Sequence, residues 1–305
     1  MAKEIVKDLT IVYITSRLRP NFLWFRDSLG DGVKVLVIDS HTAFEHESIK
    51  VSNSQWITPK PTVWSGPSRL TKEDWWSAAN ARNTGICLCQ TKWICFVDDR
   101  CVLMPCWLDH IHTAMNSPFP YVLCGAYEKR RNMTVENGVI KHGGIITGKD
   151  GRIDHCIKDW VPHGLKPPFR CGGEWAFGCT IALPLEWALN VGGFDEVCDG
   201  LSGEDTNFGL MLQNNGYPIY YEPRMLMVED RTPGECGPTM RREDFGVSPN
   251  DYSHKVLNML KDRKTTMHVF DIRKVREDAL NGKPWPKPWG PTHHLWDGKP
   301  LGELT

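Results

Sequence analysis

Residues 92–107, KWICFVDDRCVLMPCW, decide how the rest of the chain is interpreted. Residues 93–97 form a short apolar run with β-branched and aromatic side chains, a pattern typical of a buried strand. The run ends at Asp98-Asp99-Arg100, so the strand delivers two carboxylates to its carboxyl end, where open α/β sheets bind ligands. An acidic pair there can hold a hard divalent cation, although Asp also ends strands as an ordinary turn residue.

The composition is that of an ordinary water-soluble globular protein. The 305 residues include 41% hydrophobic and 24% charged side chains, and the formal charge of -1 provides no bulk positive field for nucleic acid or an anionic membrane. The first residues lack the pattern of a signal peptide, and no apolar run is long enough for a transmembrane segment. The eleven cysteines are an odd number without paired CxxC spacing, which favours free thiols and a cytoplasmic location.

The chain opens with a strand, helix, strand unit. Residues 9–15 predict a buried strand, residues 21–29 a helix, and residues 33–38 a second strand closed by Asp39. This order is typical of the start of a nucleotide-binding α/β domain. The motifs GxGxxG and GxxxxGK[ST] are both missing, which argues against a dinucleotide fold and against a P-loop.

Later segments continue the alternation of strands and helices. Residues 75–86 have helical spacing, and residues 129–173 predict hairpins and loops over the site. The remaining predicted elements are a helix at 105–115, strands at 121–126 and 180–184, helices at 185–190 and 205–214, strands at 219–221 and 225–228, and helices at 252–264 and 271–280. We predict one domain over residues 1–240 and a C-terminal extension, residues 241–305, packed on it.

Several short motifs, in their order along the chain, resemble the GT-A glycosyltransferases, in particular the broad family 2 group that uses nucleotide-diphosphate sugars. The matching segments are Thr15 with its loop, 37–40 (VIDS), 81–85 (ARNTG), 96–99 (FVDD), 192–196 (GGFDE) and 203–205 (GED). The resemblance covers residues 8–231. It implies an α/β fold with a Rossmann-like mixed sheet flanked by helices, followed by a helical or irregular C-terminal extension.

The resemblance implies a nucleotide-sugar donor, with UDP as the expected nucleotide. Asp39 would accept the imide N–H of uracil, Asp98 would bind the ribose, and Arg82 would face the diphosphate, whose oxygens suit a guanidinium fork. The complete set of predicted donor-binding residues is Thr15, Arg17, Asp39, Arg82, Asn83 and Asp98. The alternatives are a turn acid at position 39 and a solvated helix face at positions 82 and 83.

The resemblance also implies a Mn²⁺ or Mg²⁺ ion bound by Asp99. Asp230 is the predicted further ligand; Glu229 is an alternative, and His254 is a weaker one. The family's acidic motif is Asp-X-Asp, but Arg100 stands here in place of its second acid, and a cationic side chain could itself neutralise a diphosphate. We expect EDTA to abolish activity and Mn²⁺ to restore it.

Catalysis is assigned through the later acidic motif. The resemblance makes Asp205 the base that accepts the proton of the acceptor hydroxyl and Glu204 the residue that orients the acceptor. The same two acids also fit an ordinary helix start, where the helix dipole favours negative charge. Trp175 is predicted as a stacking platform for the acceptor sugar, with a core tryptophan as the alternative.

The sequence thus predicts a hexosyltransferase that inverts the anomeric carbon. The acceptor stays open between a glycan, a lipid-linked glycan, a protein and a hydroxymethylated DNA base. One alternative is a sugar-phosphate nucleotidyltransferase, although residues 16–20 (SRLRP) lack the Gly-rich loop typical of that group. The other alternative is a non-catalytic carbohydrate-binding protein that keeps the fold.

Overall fold

The computed structural model describes residues 7–17, 19–40, 51–61, 77–146, 168–199, 203–232, 258, 261–266 and 270–286. Its described strands form one sheet of ten strands. They are β1 (Leu9–Thr15), β2 (Lys34–Asp39), β3 (Ser54–Ile57), β4 (Trp93–Asp98), β5 (Cys101–Leu103), β6 (Val122–Glu136), β7 (Val139–Ile145), β8 (Phe169–Arg170), β9 (Thr180–Pro184) and β10 (Ile219–Asp230).

The sheet is mixed, in the order β3-β2-β1-β4-β9-β6-β10-β5, with β7 paired to β6 and β8 paired to β10. Strands β1 to β4 are parallel where they pair. Strands β4 and β6 are both antiparallel to β9, so they run in the same direction, and β10 is parallel to β6. The carboxyl ends of β1, β2, β4, β6 and β10 therefore face the same way.

Helices cover both faces of the sheet. They are α1 (Phe22–Leu29), α2 (Ala78–Leu88), α3 (Trp107–Met115), α4 (Leu185–Asn190), α5 (Glu204–Asn214) and α6 (Ile272–Leu280). Side chains alternate along β1: Ile14 packs with α2, α4, α5 and α6, whereas Tyr13 packs with α1 and α3. Burial on both faces explains why the central strands are apolar runs without polar alternation.

Most helices and strands lie at the positions predicted from the sequence. Three strands differ from the prediction. Strand β3 was not predicted, because the sequence favours a loop from residue 56 on the Pro, Ser and Gly content of residues 56–70; its four residues lie half-buried or exposed at the sheet edge. Strand β6 continues to Glu136 and pairs with β7 in a hairpin. The strands predicted at 219–221 and 225–228 are one strand, β10, with a register shift between Glu222 and Leu226.

The described part of the C-terminal segment packs on the sheet domain. Ile272 and Val275 of α6 belong to the core that also contains α2, and Thr266 donates its N–H to the Val191 carbonyl at 3.1 Å. The predicted boundary at residue 240, most of the predicted helix 252–264, and residues 147–167 lie outside the described residues. The described end of that helix, residues 261–264, forms turns and a bend instead, so the helix was predicted too long. Within the described residues, every helix is too short or too polar to cross a membrane.

Candidate active site

Residues predicted to bind the donor lie at the carboxyl ends of the central strands. The register pairs Thr15 with Asp39 and Ile14 with Asp98, so three predicted donor-binding residues share this edge. Asp99 follows at once and is 2% exposed. Its Oδ2 accepts the Thr15 hydroxyl at 2.6 Å and its Oδ1 accepts Arg17 Nε at 2.8 Å. Burial raises the pKa of Asp99, while Arg17 and Thr15 oppose that rise.

A tight turn brings the end of β10 to the same place. Only Asp99 and Arg100 separate β4 from β5, and Cys101 of β5 pairs with Glu229 of β10. Arg100 makes the turn in the left-handed region, with a φ of 54°, which is uncommon for a residue other than glycine. Its buried guanidinium forms an ion pair with Asp230, whose other oxygen accepts the Thr232 hydroxyl at 2.6 Å.

Arg82 joins two acidic groups that lie far apart in the sequence. Its Nη2 is 3.0 Å from Asp98 Oδ1 and its Nη1 is 2.8 Å from Glu204 Oε1, and the side chain is only 3% exposed. The guanidinium lies 5.2 Å from the Phe194 ring centroid. Burial lowers the pKa of Arg82, but Asp98 and Glu204 outweigh it and raise the pKa, so the bridge stays charged. The structure places Arg82 between two carboxylates, whereas the sequence predicted it facing the diphosphate.

Asn83, predicted beside Arg82 at the nucleotide, lies instead in the core with 0% exposure. Its Nδ2 donates to the Phe194 carbonyl at 2.8 Å and to Glu196 Oε1 at 2.9 Å, while its Oδ1 accepts the Phe194 N–H at 2.8 Å. Adjacent residues on a helix point about 100° apart, so one position faces the site while the next faces the core. Asn83 therefore anchors the segment that leads to Glu204.

The start of α2 is held by a residue that sequence reasoning missed. Asp199 accepts the backbone N–H groups of Ala79 at 2.7 Å and Asn80 at 3.1 Å, which are free donors at a helix N-terminus. Burial raises its pKa, and the nearby Glu196 adds to the rise. No local signal could reveal this cap, because the acid is about 120 residues from the helix it caps.

The two acids predicted to act on the acceptor, Glu204 and Asp205, open α5. Helix α5 starts after Gly203, whose φ of 88° needs glycine, and Glu204 and Asp205 occupy its first turn. Within the described residues, both oxygens of Asp205 accept backbone N–H groups: Oδ2 accepts the Gly178 N–H at 3.1 Å and Oδ1 accepts the Thr206 N–H at 2.7 Å. Burial raises the pKa of Glu204, Asp205 adds to the rise, and Arg82 opposes it.

Gly178 links the two acidic groups, and sequence reasoning missed it as well. Besides binding Asp205, it packs against the guanidinium of Arg82 so closely that a Cβ there would lie 2.2 Å from Nη2. Trp175 is half-buried, and its ring centroid lies 5.0 Å from Tyr221 and 5.4 Å from Phe169. The structure thus places Trp175 in an aromatic cluster that packs on the core.

The residues present do not fit a divalent cation as they are placed. Both oxygens of Asp99 and both oxygens of Asp230 already accept hydrogen bonds. Glu229 is the β10 acid on the side of Asp98 and Asp99, but it pairs with Arg231 at 2.9 Å. Burial raises its pKa to about 7, with Arg231 opposing and both aspartates contributing to the rise. Within the described residues, no three metal-ligating side chains converge, and His254 lies outside them.

Comparison with known proteins identifies the fold. No protein-family model and no curated protein sequence matches the chain. Among solved structures, GalNAc-T7 with UDP, GalNAc and Mn²⁺ gives a TM-score of 0.52 at 13% identity, covering 83% of this chain and 48% of that one. TarS 1–349 of S. aureus in complex with UDP-GlcNAc gives 0.52 at 12%, covering 83% and 65%.

The chain therefore spans about half of the first protein and just under two thirds of the second. At this identity the likeness shows the fold. The mixed sheet with helices on both faces is a GT-A fold, and the prediction made from the motifs is confirmed.

Proposed function

We propose that the chain is a glycosyltransferase that moves a hexose from a UDP-sugar to an acceptor hydroxyl and inverts the anomeric carbon. The observation that carries the proposal is the bridge through Arg82, which joins Asp98 at the end of β4 to Glu204 at the start of α5. A donor-binding edge and a pair of acids suited to an acceptor are thereby held in one site. The UDP and UDP-GlcNAc in the two similar structures support the choice of donor.

Two strand-end carboxylates would hold the nucleoside. Asp39, which is 1% exposed beside Thr15, accepts the imide N–H of uracil in this proposal, and Asp98 accepts a ribose hydroxyl. Asp98 suits the ribose because its side chain is 22% exposed although one oxygen is already bound to Arg82. A carboxylate fixed in this way orients a hydroxyl without a further loss of side-chain entropy.

Asp205 is the base of the proposed transfer. The acceptor oxygen forms a bond to the anomeric carbon, the bond from that carbon to the diphosphate oxygen breaks, and the diphosphate leaves with the electron pair. The acceptor proton moves to the carboxylate of Asp205, which the Gly178 and Thr206 N–H groups hold in place. Glu204 orients the acceptor through the oxygen that does not bind Arg82, and Trp175 is the proposed wall for an acceptor ring.

A screen of nucleotide sugars by thermal shift, followed by turnover assays, tests this function. We expect UDP-sugars to raise the melting temperature and to be hydrolysed or transferred to one of four acceptor classes: glycan, lipid-linked glycan, protein or hydroxymethylated DNA. NMR of the product should show an inverted anomeric configuration. Consumption of an NTP with a sugar phosphate would instead indicate a nucleotidyltransferase, and binding without turnover would indicate a carbohydrate-binding protein.

A further inference from the structure

Four carboxylates at the carboxyl edge of the sheet are each bound to an arginine. The pairs are Asp98 with Arg82, Asp99 with Arg17, Glu229 with Arg231, and Asp230 with Arg100. Resting on the proposed function, we infer that the site binds the diphosphate of its donor with Arg17 and Arg231 and needs no divalent cation. The positive charge that a cation would bring is already supplied by the chain.

The Arg100–Asp230 pair is the first step of the inference. Arg100 occupies the position where the acidic motif of similar enzymes has its second acid, and Asp230 occupies the predicted position of a further metal ligand. In this chain the two side chains bind each other directly, and each is 2% exposed. A buried pair of this kind is strongly destabilising to break, because one charge would be left uncompensated. A cation therefore has no easy route to Asp230.

The charge balance is the second step. The four arginines bind these four carboxylates and, through Arg82, also Glu204, so the group carries one net negative charge when all are ionised. A divalent cation that binds one of these carboxylates would have to displace its arginine. An arriving diphosphate, in contrast, adds negative charge and can share an arginine that already binds a carboxylate, because a guanidinium carries five N–H donors.

Exposure decides which arginines face the donor. The side chains of Arg82 and Arg100 are 3% and 2% exposed and their guanidiniums are bound to carboxylates on the inner side of the site, so we assign them to positioning those carboxylates. Arg17 is 13% exposed and Arg231 is 45% exposed. Arg231 binds Glu229 at 2.9 Å, and Glu229 pairs in register with Cys101, two residues after the Asp99 that Arg17 binds at 2.8 Å. Two neighbouring like charges at the mouth of a site favour an anion between them.

The deciding experiment measures UDP binding by calorimetry to metal-stripped protein, in EDTA and in excess Mn²⁺. We expect the two dissociation constants to agree within about threefold. Arg231→Gln should weaken UDP binding by about tenfold or more in both buffers and leave uridine binding unchanged, because uridine has no diphosphate. Arg273→Gln is the matched control, because the Arg273 side chain on α6 is also 45% exposed and also pairs with a glutamate.

Three outcomes would overturn the inference. UDP binding that appears only with Mn²⁺ overturns the inference and leaves the proposed function standing. An unchanged affinity in Arg231→Gln also overturns it, and Arg17→Gln provides a second variant with the same expectation. If neither UDP nor uridine binds in either buffer, the proposed function fails and the inference fails with it.

Discussion

The carboxylates in the proposed donor half of the site and those in the proposed acceptor half have different hydrogen-bond and ion-pair partners. On the donor side, Asp98, Asp99 and Glu229 each bind an arginine at 3.0 Å or less. On the acceptor side, Glu204 and Asp205 are neighbours in one helical turn. Of these two acids, Glu204 forms an ion pair with Arg82, which also binds Asp98. Asp205 is held by backbone N–H groups.

The difference indicates two tasks. An arginine partner favours the charged form of a carboxylate and opposes its protonation, although burial still raises the pKa of Asp99 and of Glu229. Such acids suit fixed binding to sugar and nucleotide hydroxyls. In the proposed mechanism the acceptor proton goes to Asp205, whose oxygens accept backbone N–H groups and which lies beside a second carboxylate. The proposal therefore assigns the arginine-bound acids to binding and Asp205 to proton transfer.

Removing the base should have the largest effect. We expect Asp205→Asn to lower the transfer rate by about 10²–10⁴-fold, the range that a positioned general base contributes, while UDP binding stays within about threefold. Single-turnover assays together with calorimetry measure the two quantities separately. Asp109→Asn, an exposed acid in the first turn of α3, is the matched control and should keep full activity. Near wild-type turnover in Asp205→Asn would remove this residue from the mechanism.

Breaking the link between the halves should cost the most stability. Arg82→Met leaves Asp98 and Glu204 without their shared cation, and such buried losses cost about 3–5 kcal/mol of the free energy of unfolding. Denaturant unfolding gives that free energy. Arg82→Lys should be intermediate, because an ammonium lacks the planar fork that reaches two carboxylates at once. A loss below about 1 kcal/mol in Arg82→Met would show that the bridge is not a structural support.

A single methyl group tests the packing of the same bridge. Gly178→Ala introduces a Cβ at 2.2 Å from Arg82 Nη2, so the guanidinium must shift. We expect a loss of about 1–3 kcal/mol in unfolding free energy, as for other overpacked sites. Gly144→Ala is the control, since a Cβ added there would lie 3.9 Å from the Arg131 carbonyl oxygen, an ordinary van der Waals distance. Equal stabilities for the two variants would mean that Arg82 adapts freely.

Local sequence patterns were sufficient for the central strands and for the order of the acidic motifs. Strand β1 and strand β9 have the predicted bounds because apolar runs buried on both faces are unambiguous. The partners of the buried acids could not be predicted from the sequence. Arg100 meets Asp230 across 130 residues, and Asp199 caps α2 from about 120 residues away, so neither contact leaves a periodic signal. The role of Asn83 was missed because helical spacing alone does not say which face meets the core.

The pH dependence of the free energy of unfolding tests the environment of Glu204. Burial and Asp205 raise the pKa of Glu204 above its usual 4.5. A raised folded-state pKa contributes stability below about pH 4.5, and that contribution is lost as the pH rises through the raised value. The wild type should therefore lose stability relative to Glu204→Gln above pH 4.5, by about 1.4 kcal/mol for each pKa unit. A constant difference from pH 4 to 8 would contradict the raised pKa.

The smallest effect is expected from an arginine pair outside the site. Arg273 binds Glu186 at 2.5 Å, yet both side chains are about half exposed, at 45% and 63%. Arg273→Met should cost about 1 kcal/mol or less in denaturant unfolding, because water and salt screen an exposed pair and ordering two long side chains opposes it. If Arg273→Met costs as much as Arg82→Met, pairing alone and not burial would set the strength, and the contrast between the buried bridge and ordinary surface pairs would disappear.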